Sequence, residues 1–153
     1  MPPSVELSTL PNMPPKELGA PLLIERNPLG DFTFFADFAI AEWLKPEIDN
    51  FDLVKMESVA QSVYGSKPWG YISNRTHATV SNPTSIYNLL QRSCAPKAVA
   101  IVTYSLRSRM VAQIEKEHCK TVPLDIFEDL SNACEWMQQQ IRVLKEDFSL
   151  TAS

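Results

Sequence analysis

The stretch Lys97-Ala98-Val99-Ala100-Ile101-Val102-Thr103-Tyr104 limits what this chain can fold into more than any other. Its apolar run from Ala98 to Val102 leaves a strand with no solvent-facing side, because successive strand residues point to opposite faces. Such a strand belongs in the middle of a sheet that is covered above and below.

Other segments supply the cover. Leu53, Met56, Ala60 and Val63 recur at helical spacing after Asn50, and Gly65 follows as a natural stop. A second helix is expected after Asn82-Pro83, carrying Ile86, Leu89 and Leu90, with Pro83 in the first turn where a missing N–H costs little. A third begins at Ser105 or Ser108 as cap, turns Met110, Val111 and Ile114 inward, and ends near His118-Cys119. Leu130, Ala133, Cys134, Met137, Ile141 and Leu144 make the last helix the clearest in the chain.

Strand signals fall between them. Phe32 to Ala41 alternates as one long strand, with Phe32, Phe34, Ala36, Phe38 and Ile40 on one face. Leu22 to Arg26, followed by Asn27-Pro28-Leu29-Gly30, pairs with it as a hairpin. Trp69 to Ser73 forms a further strand, and Val122 to Phe127 an edge strand because of Pro123. The order β-β-α-β-α-β-α-β-α predicts an α/β fold: a single open, mostly parallel sheet of about five strands, opened by an antiparallel hairpin, with helices packed on it. Pro2, Pro3, Pro11, Pro14, Pro15 and Pro21 mark residues 1–21 as an arm. Residues 22–147 form the domain and 148–153 a tail.

Composition excludes several functions. The glycines, Gly19, Gly30, Gly65 and Gly70, lie too far apart for a dinucleotide fingerprint, a phosphate loop or a nucleophile elbow. A net charge of −4 argues against a broad nucleic-acid-binding face. No run approaches the ~20 apolar residues of a membrane span, so no membrane insertion is expected. The odd number of scattered cysteines, Cys94, Cys119 and Cys134, fits reduced thiols in a cytoplasmic protein. They have no ligand spacing with His77 and His118, so no metal, cofactor or catalytic residue is assigned.

Four segments in order resemble the bacterial STAS-like proteins related to anti-sigma-factor antagonists. They are Lys67-Pro68-Trp69-Gly70-Tyr71-Ile72, Ser81-Asn82-Pro83-Thr84-Ser85, Ala98 to Val102, and Phe127 to Met137. The resemblance implies a domain of about residues 22–144 that binds other proteins and, in one branch, is switched by phosphorylation between a strand and the next helix. Ser81, Thr84 and Ser85 occupy that place, although the acidic residue and glycine of the switching loop are missing. A phosphate there would meet free backbone N–H groups, while the plainer role of these hydroxyls is N-capping.

A second candidate is a rim beyond the strand ends. Ser105, Arg107, Ser108 and Arg109 follow the central strand, and Arg75 and His77 follow its parallel neighbour. They would suit an anion or an acidic partner, or serve merely as a solvated edge. The aromatic strand has apolar side chains on both faces, which raises the prospect of a homodimer. The leading expectation is a non-enzymatic protein-interaction domain with an unidentified protein partner. The alternative is a carrier of a small anionic or apolar, lipid-like ligand. A small enzyme using Cys119, His77 or an acidic pair such as Glu128-Asp129 ranks third.

Overall fold

The computed structural model describes residues 15, 18–77 and 80–151. The expected arm at 1–21 therefore lies mostly outside the described residues. Strands β1 (Leu23–Asn27), β2 (Gly30–Phe34) and β3 (Phe38–Trp43) form an antiparallel meander. After the two-residue β4 (Glu47–Ile48) comes α1 (Asn50–Tyr64), then β5 (Gly70–Arg75), the short β6 (Val80–Ser81) and α2 (Pro83–Leu90). The chain continues through β7 (Ala98–Thr103), α3 (Leu106–His118), β8 (Leu124–Phe127) and α4 (Leu130–Thr151). The main sheet has the order β1-β2-β3-β5-β7-β8, with every pair from β3 onward parallel; β4 and β6 form a separate parallel pair. The α/β class, the mostly parallel sheet and the opening hairpin thus hold, and α4 extends into the segment read as a tail.

Each parallel strand is added on the same side of the one before, so crossovers of one hand place their helices on one face. Leu53, Met56 and Ala60 of α1, Ile86 and Leu89 of α2 and Ala112 of α3 accordingly share one core with Phe32, Trp43 and Ile101. The chain leaves β8 at the sheet edge and must fold back across the other face. There Leu130, Ala133, Cys134, Met137 and Ile141 of α4 pack on Ile72, Ala100 and Val102. As its apolar run demands, β7 is buried throughout.

The strand expected from Phe32 to Ala41 is two strands joined by a turn, closed where Phe35 N–H donates to the Phe38 carbonyl at 2.9 Å. Across a two-residue loop the flanking residues share a face, so the alternation reverses there. Phe32 and Phe34 face the α1 side with Ala39 and Ala41, whereas Phe35 joins Phe38 and Ile40 beneath α4. Apolar residues on both faces hid the reversal in the sequence. All four phenylalanines are buried within the chain, so their burial requires no second copy.

Gly30 is required by close approach, because a Cβ there would collide with the backbone carbonyl of Glu42 on the facing strand. Gly65 ends α1 at φ 61°, a conformation costly for other residues. At the other end of α1, Asp49 accepts from the Asp52 N–H and Asp52 accepts from the Asp49 N–H, a reciprocal cap.

Candidate functional site

The helix after the central strand departs furthest from its expected orientation. Met110 and Ile114 face outward rather than inward: Leu106, Met110 and Ile114 are 70%, 61% and 48% exposed. Spaced four residues apart, they form one apolar stripe. The opposite face buries Ser108, Ala112 and Glu115, and Val111 is half-buried.

The reason lies beneath it. Arg75, at the end of β5, points into the space under α3 and is fully buried. Its Nη1 and Nη2 donate to Glu115 Oε2 and Oε1 at 2.5 and 2.7 Å, and its Nε donates to Ser73 Oγ at 3.1 Å. A guanidinium withdrawn from water needs a carboxylate within reach, so α3 must turn Glu115 inward and its apolar side outward. The polar layer continues to Tyr71, whose hydroxyl accepts from Trp43 Nε1 at 2.9 Å.

Arg75 is thus no part of an exposed rim. The other rim residues do gather at the carboxyl end of the parallel strands, since Arg75 and Thr103 are ladder partners. Ser105 caps α3, its Oγ accepting from the Ser108 N–H at 3.1 Å. The Ser108 hydroxyl is buried and without a partner among the described residues, as is Thr103 Oγ1. Arg109 is ion-paired with Glu128 across the divide where β7 leads to α3 and β8 to α4. His77 lies 3.9 Å from Glu42 Oε1, and Arg107 is exposed without an ion pair among the described residues. Carboxylates compensate both Arg75 and Arg109, so this rim is less positive than its sequence implies.

In the loop before α2, Asn82 is the cap, its Oδ1 accepting from the Thr84 N–H at 2.9 Å. Ser81 and Ser85 are buried, whereas Thr84 is exposed at the first turn. α2 packs directly beside α3, and β6 lies against α3. The loop and the apolar stripe therefore belong to neighbouring elements of one helical layer, on which Tyr87 of α2 is also exposed.

Sequence reasoning also missed a polar hollow on the opposite face. Asp31, Thr33, Glu42 and Asn74 line a cavity of ~80 Å³ beside Phe35 and Leu130. Here the Tyr104 hydroxyl donates to Asn74 Oδ1 at 2.6 Å, and Thr76 Oγ1 donates to Glu42 Oε1 at 3.0 Å. Burial above all, with Glu42 and Asp129 nearby, raises the Tyr104 hydroxyl well above an ordinary phenol and keeps it protonated. A larger concavity, ~440 Å³, is an open groove between the β1-β2 hairpin and α1, walled by Leu29, Phe32 and Val59 with Glu25 and Lys55 beside them.

The thiols are free. Burial pushes Cys119 up to about 11, the opposite of the depressed value an activated nucleophile needs, and His118 Nδ1 lies 2.8 Å from the Ile114 carbonyl. Among the described residues no group of three or more His, Cys, Asp or Glu could hold a metal, and no helix is long and apolar enough to cross a membrane.

No family model matches the chain, and no significant match was found among curated proteins or solved structures. The fold defines a mixed α/β domain with three helices on one face of the sheet and one on the other.

Proposed function

We propose that this chain is a non-enzymatic, STAS-like protein-interaction module whose contact face is the outer surface of α3 together with the start of α2. The outward stripe of Leu106, Met110 and Ile114 carries the reading. Exposing this much apolar surface on one helix has a cost in water that a docked partner removes. The partner is a protein offering apolar side chains of its own, with an acidic group to meet Arg107 at the stripe's end. Of the three hydroxyls in the candidate switch loop, Thr84 alone combines exposure with a place at a helix start, where a phosphate would be stabilised by the helix dipole. Three free thiols suit a reducing compartment such as the cytoplasm.

The experiment is native mass spectrometry of tagged protein taken gently from its own cells. A stoichiometric protein partner is expected, lost in Met110→Glu and retained in Val143→Glu, which changes an exposed apolar residue of α4. A bare chain, or equal recovery with both variants, would overturn the reading. The open groove beside Phe32 favours a second reading, a carrier of an apolar ligand. A nonprotein mass released on denaturation, and lost when Val59→Glu closes the groove, would establish the carrier instead.

A further inference from the structure

The hollow beside Asn74 lies on the face opposite α3 and plays no part in the contact surface above. One row of the sheet carries it: Arg26, Asp31, Glu42 and Asn74 are successive ladder partners across β1, β2, β3 and β5. α4 packs on β5, β7 and β8, so the row passes from exposed at Arg26 to buried at Asn74 where the helical cover begins.

Two features of this row lack an internal explanation. Asp31 and Glu42 oppose each other directly on antiparallel strands, an arrangement that costs stability for like charges, and the cation facing Asp31 from its other side, Arg26, is exposed on β1. Among the described residues Asp31 makes no ion pair, and Glu42 meets the Thr76 hydroxyl and the distant His77. Secondly, Asn74 is 1% exposed, yet its Nδ2 has no hydrogen-bond partner among the described residues. Tyr104 donates to its Oδ1, which leaves the NH₂ group for something else. A buried donor without a partner is costly, and this one borders the cavity.

The hollow therefore offers two carboxylates and one donor in a volume equal to about two or three waters at ~30 Å³ each. A bare cation would satisfy the carboxylates and leave Nδ2 unmatched; an anion would satisfy Nδ2 and be repelled. A group that answers both is a primary ammonium with an oxygen acceptor on the neighbouring carbon. We propose that this hollow binds a vicinal ammonium–oxygen group, the ammonium between Asp31 and Glu42 and the hydroxyl or carbonyl oxygen accepting from Asn74 Nδ2. A small amino alcohol and the free N-terminus of a peptide share this chemistry.

The test follows the side-chain amide signals of Asn74 in ¹⁵N-labelled full-length protein during titration. Ethanolamine represents the amino alcohol, glycinamide the peptide terminus, and ethylamine and ethylene glycol each supply one half of the group. Saturable shifts are expected with ethanolamine or glycinamide, and whichever binds more tightly identifies the source. Ethylamine should bind at least about tenfold more weakly, and ethylene glycol should leave the signals unmoved. Glu42→Gln and Asp31→Asn should each weaken binding about tenfold. Both carboxylates are partly exposed and both changes are isosteric, and signal dispersion reports directly that each variant is folded. No saturable shift with either complete probe, ethylamine binding as tightly as ethanolamine, or undiminished binding in both variants would overturn the proposal.

Discussion

Arg75 and Glu115 form a two-pronged ion pair, at 2.5 and 2.7 Å, with no exposed side-chain surface on either residue. It joins the end of β5 to the last turn of α3 and sets which side of that helix meets the sheet.

Removing one partner leaves a charge buried alone. Glu115→Gln is expected to lower the unfolding free energy by about 3–5 kcal/mol, while the paired change Arg75→Met with Glu115→Leu recovers most of it. Urea denaturation of the three proteins measures this. A loss under ~1 kcal/mol in the single variant would show that the pair does not hold α3 in place.

The orientation of α3 can be tested without touching the pair. Ala112 has no exposed surface, so Ala112→Leu should destabilise by about 1–3 kcal/mol through overpacking. Met110→Gln, on the outward stripe, should change stability by no more than ~0.5 kcal/mol. The reverse ranking in thermal unfolding would mean that the apolar stripe faces the core.

Gly70 lies directly beneath α4, and a Cβ there would overlap the Met137 side chain. Gly70→Ala should therefore cost about 1–3 kcal/mol. Pairing it with Met137→Ala should cost less than the sum of the two single changes, because shortening Met137 frees the space. Strict additivity in a double-mutant cycle would place the two residues out of contact.

Alkaline pH should weaken the fold. Burial raises Cys134 to about 12 and Cys119 to about 11, above the ordinary 9.0, and raises the buried Tyr71 as well. Between the unfolded and folded values the unfolded chain has lost a proton that the folded chain keeps, so stability is full below pH 9.0 and declines as pH rises toward about 11 and 12. The urea midpoint should fall across that window, and less steeply in Cys134→Ala. An unchanged slope in that variant would contradict the part assigned to Cys134. At neutral pH a thiol reagent should label the half-buried Cys94 well before Cys119 or Cys134.

The placement of Ser105 and Arg107 at the same sheet end as His77 was legible because parallel neighbours end together once the strands are known. The stripe on α3 was half legible. Leu106, Met110 and Ile114 share one helical face, but so do Ser108, Ala112 and Glu115. Periodicity identifies two faces and does not say which is buried. The hollow left no local signature, since Asp31, Glu42 and Asn74 come from three strands and meet only through register.

Local covalent order determined much of this protein. The apolar run of β7 demanded cover on both faces, the stripe of α4 named its own buried residues, and Asn82 with Pro83 marked the start of α2. These follow from the fixed periods of strand and helix and from the geometry of helix ends. Tertiary structure decided the rest: the reversal of faces between Phe34 and Ala39, the inward turn of Glu115, and the burial of Arg75 that a surface reading would have left in solvent. Each depends on a partner distant in sequence, and for a buried charge the nearest opposite charge in space outweighs the hydropathy of its neighbours along the chain.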